Sequence, residues 1–294
     1  MLRNRKRPFD FLPYALVSPL LLFILCLAIT PAIFTIVASF FRVQPLNPPT
    51  VFSGLENFRT IIHDSGVISS LGNTFLYIVV GVALSTILGM YFAIVLQRKF
   101  RFRSLLIAAL ILPWALPGVV EGILWTGIWD ANSGVLNSIL KSLHVISNYH
   151  VFLGQNRIIT IIAIEIVQVW QITPLSAILI LASLQNIPNE IYEAAKIDGS
   201  TPLHTLRLIT LPLVRPGLAI AMVQATIATL NIFDQPYILN GSATTANSLA
   251  IQTYSVSFQN LDFGEGYALS LLITIFTLFI SLTAAKFVYK KVEY

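Results

Sequence analysis

Charged residues are scarce in this chain of 294 residues: Lys, Arg, Asp and Glu make up only 11% of it, against 56% hydrophobic residues. A soluble globular domain carries about 25% charged residues, so the composition excludes an ordinary soluble domain and indicates a polytopic membrane protein. There is a single cysteine, Cys26, within an apolar run. One cysteine excludes an intrachain disulfide framework and a cysteine-based metal site.

Motifs for catalysis are missing as well. The four histidines lie in predicted loops without H-E-x-x-H spacing, and neither G-x-S-x-G nor paired catalytic aspartates occur in the apolar stretches. The chain also lacks the nucleotide-binding sequence G-x-x-x-x-G-K-[ST]. We therefore expect no catalytic residue, no metal site and no cofactor in this chain, which argues against an intramembrane enzyme.

Long apolar stretches, by contrast, are abundant. A helix needs about 20 apolar residues to cross a membrane, and six stretches meet this length: Tyr14–Phe40, Leu71–Leu96, Ser104–Trp125, Ile158–Leu184, Pro216–Leu239 and Tyr267–Ala285. The first is too long for a signal peptide, so we interpret it as an uncleaved span. The sequence predicts an all-α membrane protein whose six-span domain, residues 14–285, lies between tails at residues 1–13 and 286–294.

Basic residues are distributed unevenly between the predicted loops. With a cytoplasmic N-terminus, fourteen of the 18 Lys and Arg residues lie on the cytoplasmic side: Arg3, Arg5, Lys6, Arg7, Arg98, Lys99, Arg101, Arg103, Lys196, Arg207, Arg215, Lys286, Lys290 and Lys291. Such an excess is the usual orientation signal of membrane proteins. It predicts that both termini and the polar loop at about residues 186–216 are cytoplasmic, and it explains the net charge of +5 without a nucleic-acid partner.

Three acidic residues, Glu121, Glu165 and Asp234, fall inside predicted spans. An ionisable group within a membrane is costly and is a functional hypothesis by default. With a rise of about 1.5 Å per residue along a helix, all three lie in the outer third of the membrane. They could bind the hydroxyl groups of a ligand, line a gate towards the outside or form structural ion pairs, and the sequence leaves these roles open.

Neutral polar residues accompany these acids on two helices: Gln168 and Gln171 on the fourth span, and Gln224, Asn231 and Gln235 on the fifth. The intervals of seven and four residues predict that the last three share one helix face. Amides suit uncharged polyols, because they offer both donors and acceptors, and Trp170 could stack on a ring of such a ligand. The same faces could instead bind a second membrane subunit.

Small residues recur at intervals of four along the second span, at Gly81, Ser85, Gly89 and Ala93. This spacing places them on one face, where a second helix can approach closely. We interpret this face as a packing seam.

The polar loop at residues 186–216 contains start and stop signals for two short helices. Asn189 can cap the first helix, and Gly199 can end it because glycine tolerates a left-handed backbone. Ser200 or Thr201 can cap the second helix, with Pro202 at its first position. The pattern predicts a helix–Gly–helix loop, which fits either a docking surface or a solvated linker.

One motif in this loop resembles the signature of the membrane subunits of bacterial and archaeal ABC importers, E-A-A-x(3)-G-x(9)-I-x-L-P. The resemblance implies that the loop forms coupling helices seated in a cleft of a cytoplasmic ATPase subunit. The residues implied to form this docking surface are Glu193, Ala194, Ala195, Asp198, Gly199, Ser200, Ile209, Leu211 and Pro212.

Other segments extend the resemblance to sugar-importer permeases. Leu112-Pro113 and Gly134–Asn137 resemble the third span and the following loop, and Phe233–Leu239 resembles the maltose-F-like and glycerol-phosphate-A-like half of such pores. The resemblance implies a type I importer permease fold in a bacterial or archaeal cell membrane. It also implies a second permease subunit, two ATPase copies that bind ATP and Mg²⁺, and a lipid-anchored or periplasmic solute-binding protein.

The resemblance further implies uptake of a sugar by alternating access. The predicted spans contain no basic residue, which favours a neutral di- or oligosaccharide. Glycerol 3-phosphate and an amino sugar stay open. A proton-coupled carrier using Glu121 and Glu165 is the alternative from a different class, but it leaves the cytoplasmic loop unexplained.

Overall fold

A computed structural model describes residues 12–98, 100–241 and 243–288. Most of the N-terminal tail and of the C-terminal tail lies outside these residues. The described chain divides into two compact units, one formed by residues 12–61 with Val256–Leu271 and the other by Ile62–Ser255 with residues 272–288. The loop and the intramembrane polar residues singled out above all belong to the second unit.

Regular structure in the described ranges is helical apart from one antiparallel pair of short strands, Phe41–Arg42 (β1) and Val51–Phe52 (β2). The α-helices are α1 (Leu12–Ile24), α2 (Thr30–Ala38), α3 (Glu56–His63), α4 (Ser65–Gln97), α5 (Arg103–Ala115), α6 (Gly118–Trp129), α7 (Val135–Ser142), α8 (Arg157–Gln185), α9 (Asn189–Ile197), α10 (Pro202–Thr205), α11 (Leu211–Leu213), α12 (Arg215–Leu230), α13 (Asp234–Leu239), α14 (Leu249–Tyr254) and α15 (Phe263–Val288). Three π-helical turns occur at Leu25–Ile29, Leu206–Thr210 and Ser255–Gln259.

Five helical segments of the described chain are long and apolar enough to cross a membrane: Tyr14–Ala38, Ser65–Gln97, Arg157–Gln185, Arg215–Leu239 and Phe263–Thr283. These agree with five of the predicted spans, although the second begins earlier than expected. Asp64 explains that earlier start, because its Oδ1 accepts a hydrogen bond of 2.8 Å from the amide of Val67 and caps α4.

The third predicted span is not one continuous helix. The chain bends by 100° between α5 and α6, and a sixth crossing exists only if this bent pair is counted as one span. Leu116, which precedes Pro117, has the extended angles φ −78° and ψ 140°. A residue before proline disfavours the helical region, so Pro117 ends α5 and starts α6 in a new direction. The depth expected for Glu121 from a straight helix is therefore wrong.

The core of the second unit is formed by α4, α8 and α12, with α8 packed most extensively against α4. The predicted packing seam is confirmed, since Gly81, Ser85, Gly89 and Ala93 are all buried. A Cβ atom on Gly89 would lie 3.1 Å from the backbone nitrogen of Ala177 in α8. The absence of a side chain at this position is what allows the two backbones to approach.

Candidate functional site

The loop at residues 186–216 folds as the sequence predicts, with one difference at its start. Pro188, rather than Asn189, is the residue that precedes the first helical turn of α9. Gly199 has φ +75°, the left-handed conformation expected after a helix end. Thr201 caps α10, because its Oγ1 accepts a hydrogen bond of 3.3 Å from the amide of His204. Local capping signals therefore set the shape of this loop.

Several side chains of the loop are exposed. Glu193, Ala194 and Asp198 are exposed, whereas Ala195 is buried within the chain itself. The most exposed large apolar residue in the described chain is Ile197, at 87%. Sequence reasoning missed Ile197, although its place between the alanines and Gly199 in an otherwise polar loop was visible. Exposed apolar side chains that are rimmed by polar residues mark interaction surfaces.

A groove of about 490 Å³ follows one side of this loop. Gly199, Ser200 and Ile209 line it together with Asp198 and Leu208. Ser200 is held in place by a hydrogen bond of 2.9 Å between its Oγ and the Oγ1 of Thr205. The groove thus brings together most of the residues expected to dock an ATPase, while Leu211 and Pro212 lie further along the chain and are half-buried.

A second candidate site is the polar cluster formed where α6, α8 and α13 meet. Its centre is Gln235, whose Nε2 donates hydrogen bonds to Oε2 of Glu121 at 3.1 Å and to Oε1 of Gln171 at 3.0 Å. Glu121 and Gln235 are almost completely buried. Gln235 therefore satisfies part of the hydrogen-bonding capacity of a carboxylate that would otherwise be costly at this position.

Asp234 lies beside this cluster, against the start of α6. A Cβ atom on Gly118 would overlap the carboxylate of Asp234, so only glycine lets the two approach. Gly122, one turn later, packs on Ile238 in the same way. A carboxylate near the first residues of a helix is favourable because the amide groups there lack partners. The break at Pro117 is what creates this helix start.

Glu165 and Gln168 extend the polar cluster along α8. Both are 2% exposed, and the carboxylate of Glu165 lies against Gly81 of α4, which also faces Thr229 of α12. Within the described residues, both carboxylate oxygens of Glu165 and the Oε1 atoms of Gln168 and Glu121 accept no hydrogen bond. Buried polar atoms are normally paired, so these oxygens are available to accept further hydrogen bonds.

The expected shared face of Gln224, Asn231 and Gln235 is wrong. The helix is interrupted between Leu230 and Asp234, so Gln235 turns inward while Gln224 and Asn231 are exposed. The Nδ2 of Asn231 donates to the carbonyl of Ile227 at 2.8 Å.

Gln224 lines a cavity of about 140 Å³ with Trp114 and with Gln171, which is a member of the cluster. Packing between helices brings Gln224 and Gln171 to the same cavity, which the spacing within one helix does not reveal. Trp170 packs edge-on against Trp125, with 5.6 Å between the ring centroids.

Side-chain hydrogen bonds fix the turn that follows α6. Oδ1 of Asp130 accepts hydrogen bonds from the amides of Ser133 at 2.7 Å and Asn132 at 2.9 Å. These bonds lower the pKa of Asp130 below its ordinary value, because they stabilise the carboxylate form. Asn137 then donates to the carbonyls of Asp130 and His150 and fixes the loop that follows.

Comparison with known proteins identifies the family of this chain. Residues 85–293 match the family described as the binding-protein-dependent transport system inner membrane component. The chain belongs to this family of ABC transporter permeases. It is therefore a non-catalytic membrane subunit, and its fold is that of a type I ABC importer permease.

Relatives of this permease carry names that specify a cargo. It is 35% identical over 268 residues to the trehalose/maltose transport system permease protein MalF of Thermococcus litoralis, covering 91% of this chain and 90% of that one. It is 28% identical over 263 residues to the trehalose transport system permease protein SugA of Mycobacterium tuberculosis, covering 89% and 83% of the two chains.

A solved structure of a bacterial alginate ABC transporter, in complex with an alginate pentasaccharide-bound periplasmic protein, contains a chain with the same fold. The TM-score is 0.80 at 21% identity, covering 94% of this permease and 93% of that chain. This likeness establishes the fold of the permease.

Proposed function

We propose that this permease moves an uncharged di- or oligosaccharide into the cell by alternating access, driven by ATP hydrolysis on partner subunits. The observation that carries the proposal is the loop at residues 186–216. It presents Glu193, Ile197 and Asp198 to the surroundings beside a groove lined by signature residues. Closure of the ATPase pair would pull on these two short helices, and the attached spans would open the pore outward.

The proposed assembly contains a second permease subunit, two ATPase copies that hold ATP and Mg²⁺, and a lipid-anchored or periplasmic solute-binding protein. The alginate transporter with its bound periplasmic protein supports such a delivery step. We place the assembly in a bacterial or archaeal cell membrane. The tails at residues 1–13 and 286–294 and the loop at 186–216 then face the cytoplasm, and residues 14–285 form the permease domain.

The polar cluster supports a neutral cargo. Its members are carboxylates and amides. Carboxylates accept hydrogen bonds from hydroxyl groups, and amides both donate and accept them, but neither neutralises an anion. A phosphate ester is usually held by Lys or Arg side chains, and the predicted spans contain none. Trehalose and maltose, for which two of the relatives are named, are neutral sugars and agree with this choice, whereas alginate, named for the solved transporter, is acidic. Glycerol 3-phosphate and an amino sugar are the alternative cargoes.

Cargo specificity can be measured in proteoliposomes that contain the complete transporter and its binding protein. We expect maltose or trehalose to stimulate ATP hydrolysis at least about tenfold more than glycerol 3-phosphate, because the cluster lacks a cation that pairs with phosphate. Glucosamine is the second comparison. Equal or greater stimulation by glycerol 3-phosphate would contradict the neutral-sugar proposal while leaving ATP-driven import intact.

Charge reversal in the loop tests the coupling role. The variants Glu193→Lys and Asp198→Lys should lower sugar uptake at least about tenfold, because an ion pair with the ATPase would become a repulsion of several kcal/mol. ATP hydrolysis should continue without stimulation by the loaded binding protein.

Glu56→Lys is the matched control for these variants, since Glu56 is exposed in α3, far from the loop in sequence. Normal uptake by both loop variants would count against docking at these carboxylates. Uptake that survives removal of the ATPase and follows the proton gradient would favour the carrier alternative instead.

A further inference from the structure

A second groove, of about 580 Å³, lies between the end of α4 and the loop at residues 186–216. Ile94, Leu203 and Leu206 supply apolar side chains to it, and Arg98 and Lys196 supply two cationic groups. Its volume falls within the range of about 300–1,000 Å³ that is typical of small-molecule sites. Among the described residues that line this groove, none is acidic.

This lipid-side groove, as we call it, is separate from the groove expected to dock the ATPase. Of the lining residues that the structure describes, only Ser200 is shared by the two grooves. Glu193, Asp198 and Gly199, which carry the coupling signature, do not line the lipid-side groove. Neither the ATPase contact nor the sugar pathway therefore accounts for it.

The chemistry of the groove is amphipathic. Leu203 is 64% exposed on a loop that follows a membrane-facing segment, and an apolar surface of this kind costs free energy in water. Arg98 and Lys196 are also exposed, so their charges are available to a ligand. A ligand that matches both features has an apolar body and an anionic head.

The position of the groove identifies the source of such a ligand. Ile94 belongs to the last turn of α4, a span that crosses the membrane, and Arg98 follows directly after its end at Gln97. The apolar wall of the groove is thus continuous with the membrane end of that span. The headgroup region of the cytoplasmic leaflet is anionic and attracts Lys and Arg side chains near its surface.

We propose that this groove binds an anionic phospholipid of the cytoplasmic leaflet. The phosphate lies between Arg98 and Lys196, and an acyl chain contacts Ile94, Leu203 and Leu206. The proposal rests on the cytoplasmic placement of the loop given above. Because the lining comes from α4, α9 and α10 together, the bound lipid ties both helices of the coupling loop to the second span.

The test uses the complete transporter in phosphatidylcholine nanodiscs that contain a small fraction of phosphatidylglycerol with a photoactivatable acyl chain. Photolabelling should map to the peptides around Ile94 and Leu203. The double variant Arg98→Gln/Lys196→Gln should lower the labelling by about tenfold or more, because two membrane-proximal charges are removed. Leu203→Gln should lower it as well, while leaving both charges in place.

Arg101→Gln/Arg207→Gln is the matched control, since it removes two exposed cations that do not line the groove. This control should be labelled like the parent transporter. Equal labelling by photoactivatable phosphatidylcholine would show general lipid contact and overturn the proposal. Competition by soluble glycerol 1-phosphate as strong as by phosphatidylglycerol would show a soluble-anion site and also overturn it.

Absence of labelling in an assembled transporter would mean that protein covers the groove, and this too would overturn the proposal. Sugar-stimulated ATP hydrolysis is measured on the same nanodiscs. Normal stimulation without labelling rejects the lipid site alone, whereas loss of stimulation in the parent transporter rejects the proposed function.

Discussion

Replacing Gly199 with valine is expected to reduce ATP-dependent sugar uptake at least about tenfold, because a β-branched residue is strained in the left-handed conformation by more than the roughly 1–2 kcal/mol of an ordinary residue. Gly199 has φ +75°, and no atom lies within 4 Å of where its Cβ would be. The expected loss therefore comes from the backbone and not from a clash within the chain. Uptake is measured in proteoliposomes with the complete transporter.

Gly199→Asn is the informative partner of this variant. Asparagine visits the left-handed conformation more readily than other residues with a side chain, so most of the uptake should return. Because Gly199 is exposed, a local change of the loop can relieve the strain, and the thermal stability of the solubilised permease should change little in both variants. Normal uptake with valine would contradict the coupling role of this turn. An equal loss with asparagine would show that the ATPase needs the space and that backbone strain is not the cause.

Replacing Gly89 with leucine is expected to destabilise the permease by about 3 kcal/mol or more, because overpacking cannot be relieved against a helix backbone. A Cβ atom at this position would lie 2.9 Å from Cβ of Ser176 and 3.2 Å from its carbonyl carbon. The helices α4 and α8 would have to separate along the main seam of the second unit. The measurement is the midpoint of thermal unfolding and the monodisperse yield in detergent.

Gly127→Leu is the matched control for the packing seam. Gly127 lies in α6, and its Cβ position has no neighbour within 4 Å in the described chain. Leucine has a better helix propensity than glycine by up to about 1 kcal/mol, so the control should fold as well as the parent protein. Equal stability of Gly89→Leu and Gly127→Leu would show that the α4–α8 approach is not limited by residue size.

The sequence was sufficient to predict those features that depend on residues close together in the chain. Apolar runs located five spans, because burial in lipid requires about 20 successive apolar residues. Spacing of four found the seam at Gly81 and Gly89, and turn chemistry found the left-handed Gly199 and the cap at Thr201. The importer family also follows from a local signature, which the comparison with known permeases confirms.

The break in the third span is a feature that local signals in the sequence do not determine. Pro113 and Pro117 were visible, and the residue before a proline tends to leave the helical region. An apolar run nevertheless predicts only that its residues are buried or in lipid, and it contains no information about the direction of the helix axis. The 100° turn at Leu116 therefore had to be read from backbone angles.

The sequence by itself determined that this protein crosses the membrane several times and has a polar loop of short helices, because those properties depend on local composition, periodicity and capping. Its signature motif indicated the permease family, to which the chain belongs. Only the tertiary structure determined which residues form the polar cluster, since Gln235 contacts Glu121 and Gln171 across separations of 114 and 64 residues. The physical reason is the cost of burying polar groups in a membrane. Each carboxylate or amide must find partners on other helices, and only the packing of α6, α8 and α13 specifies which partners those are.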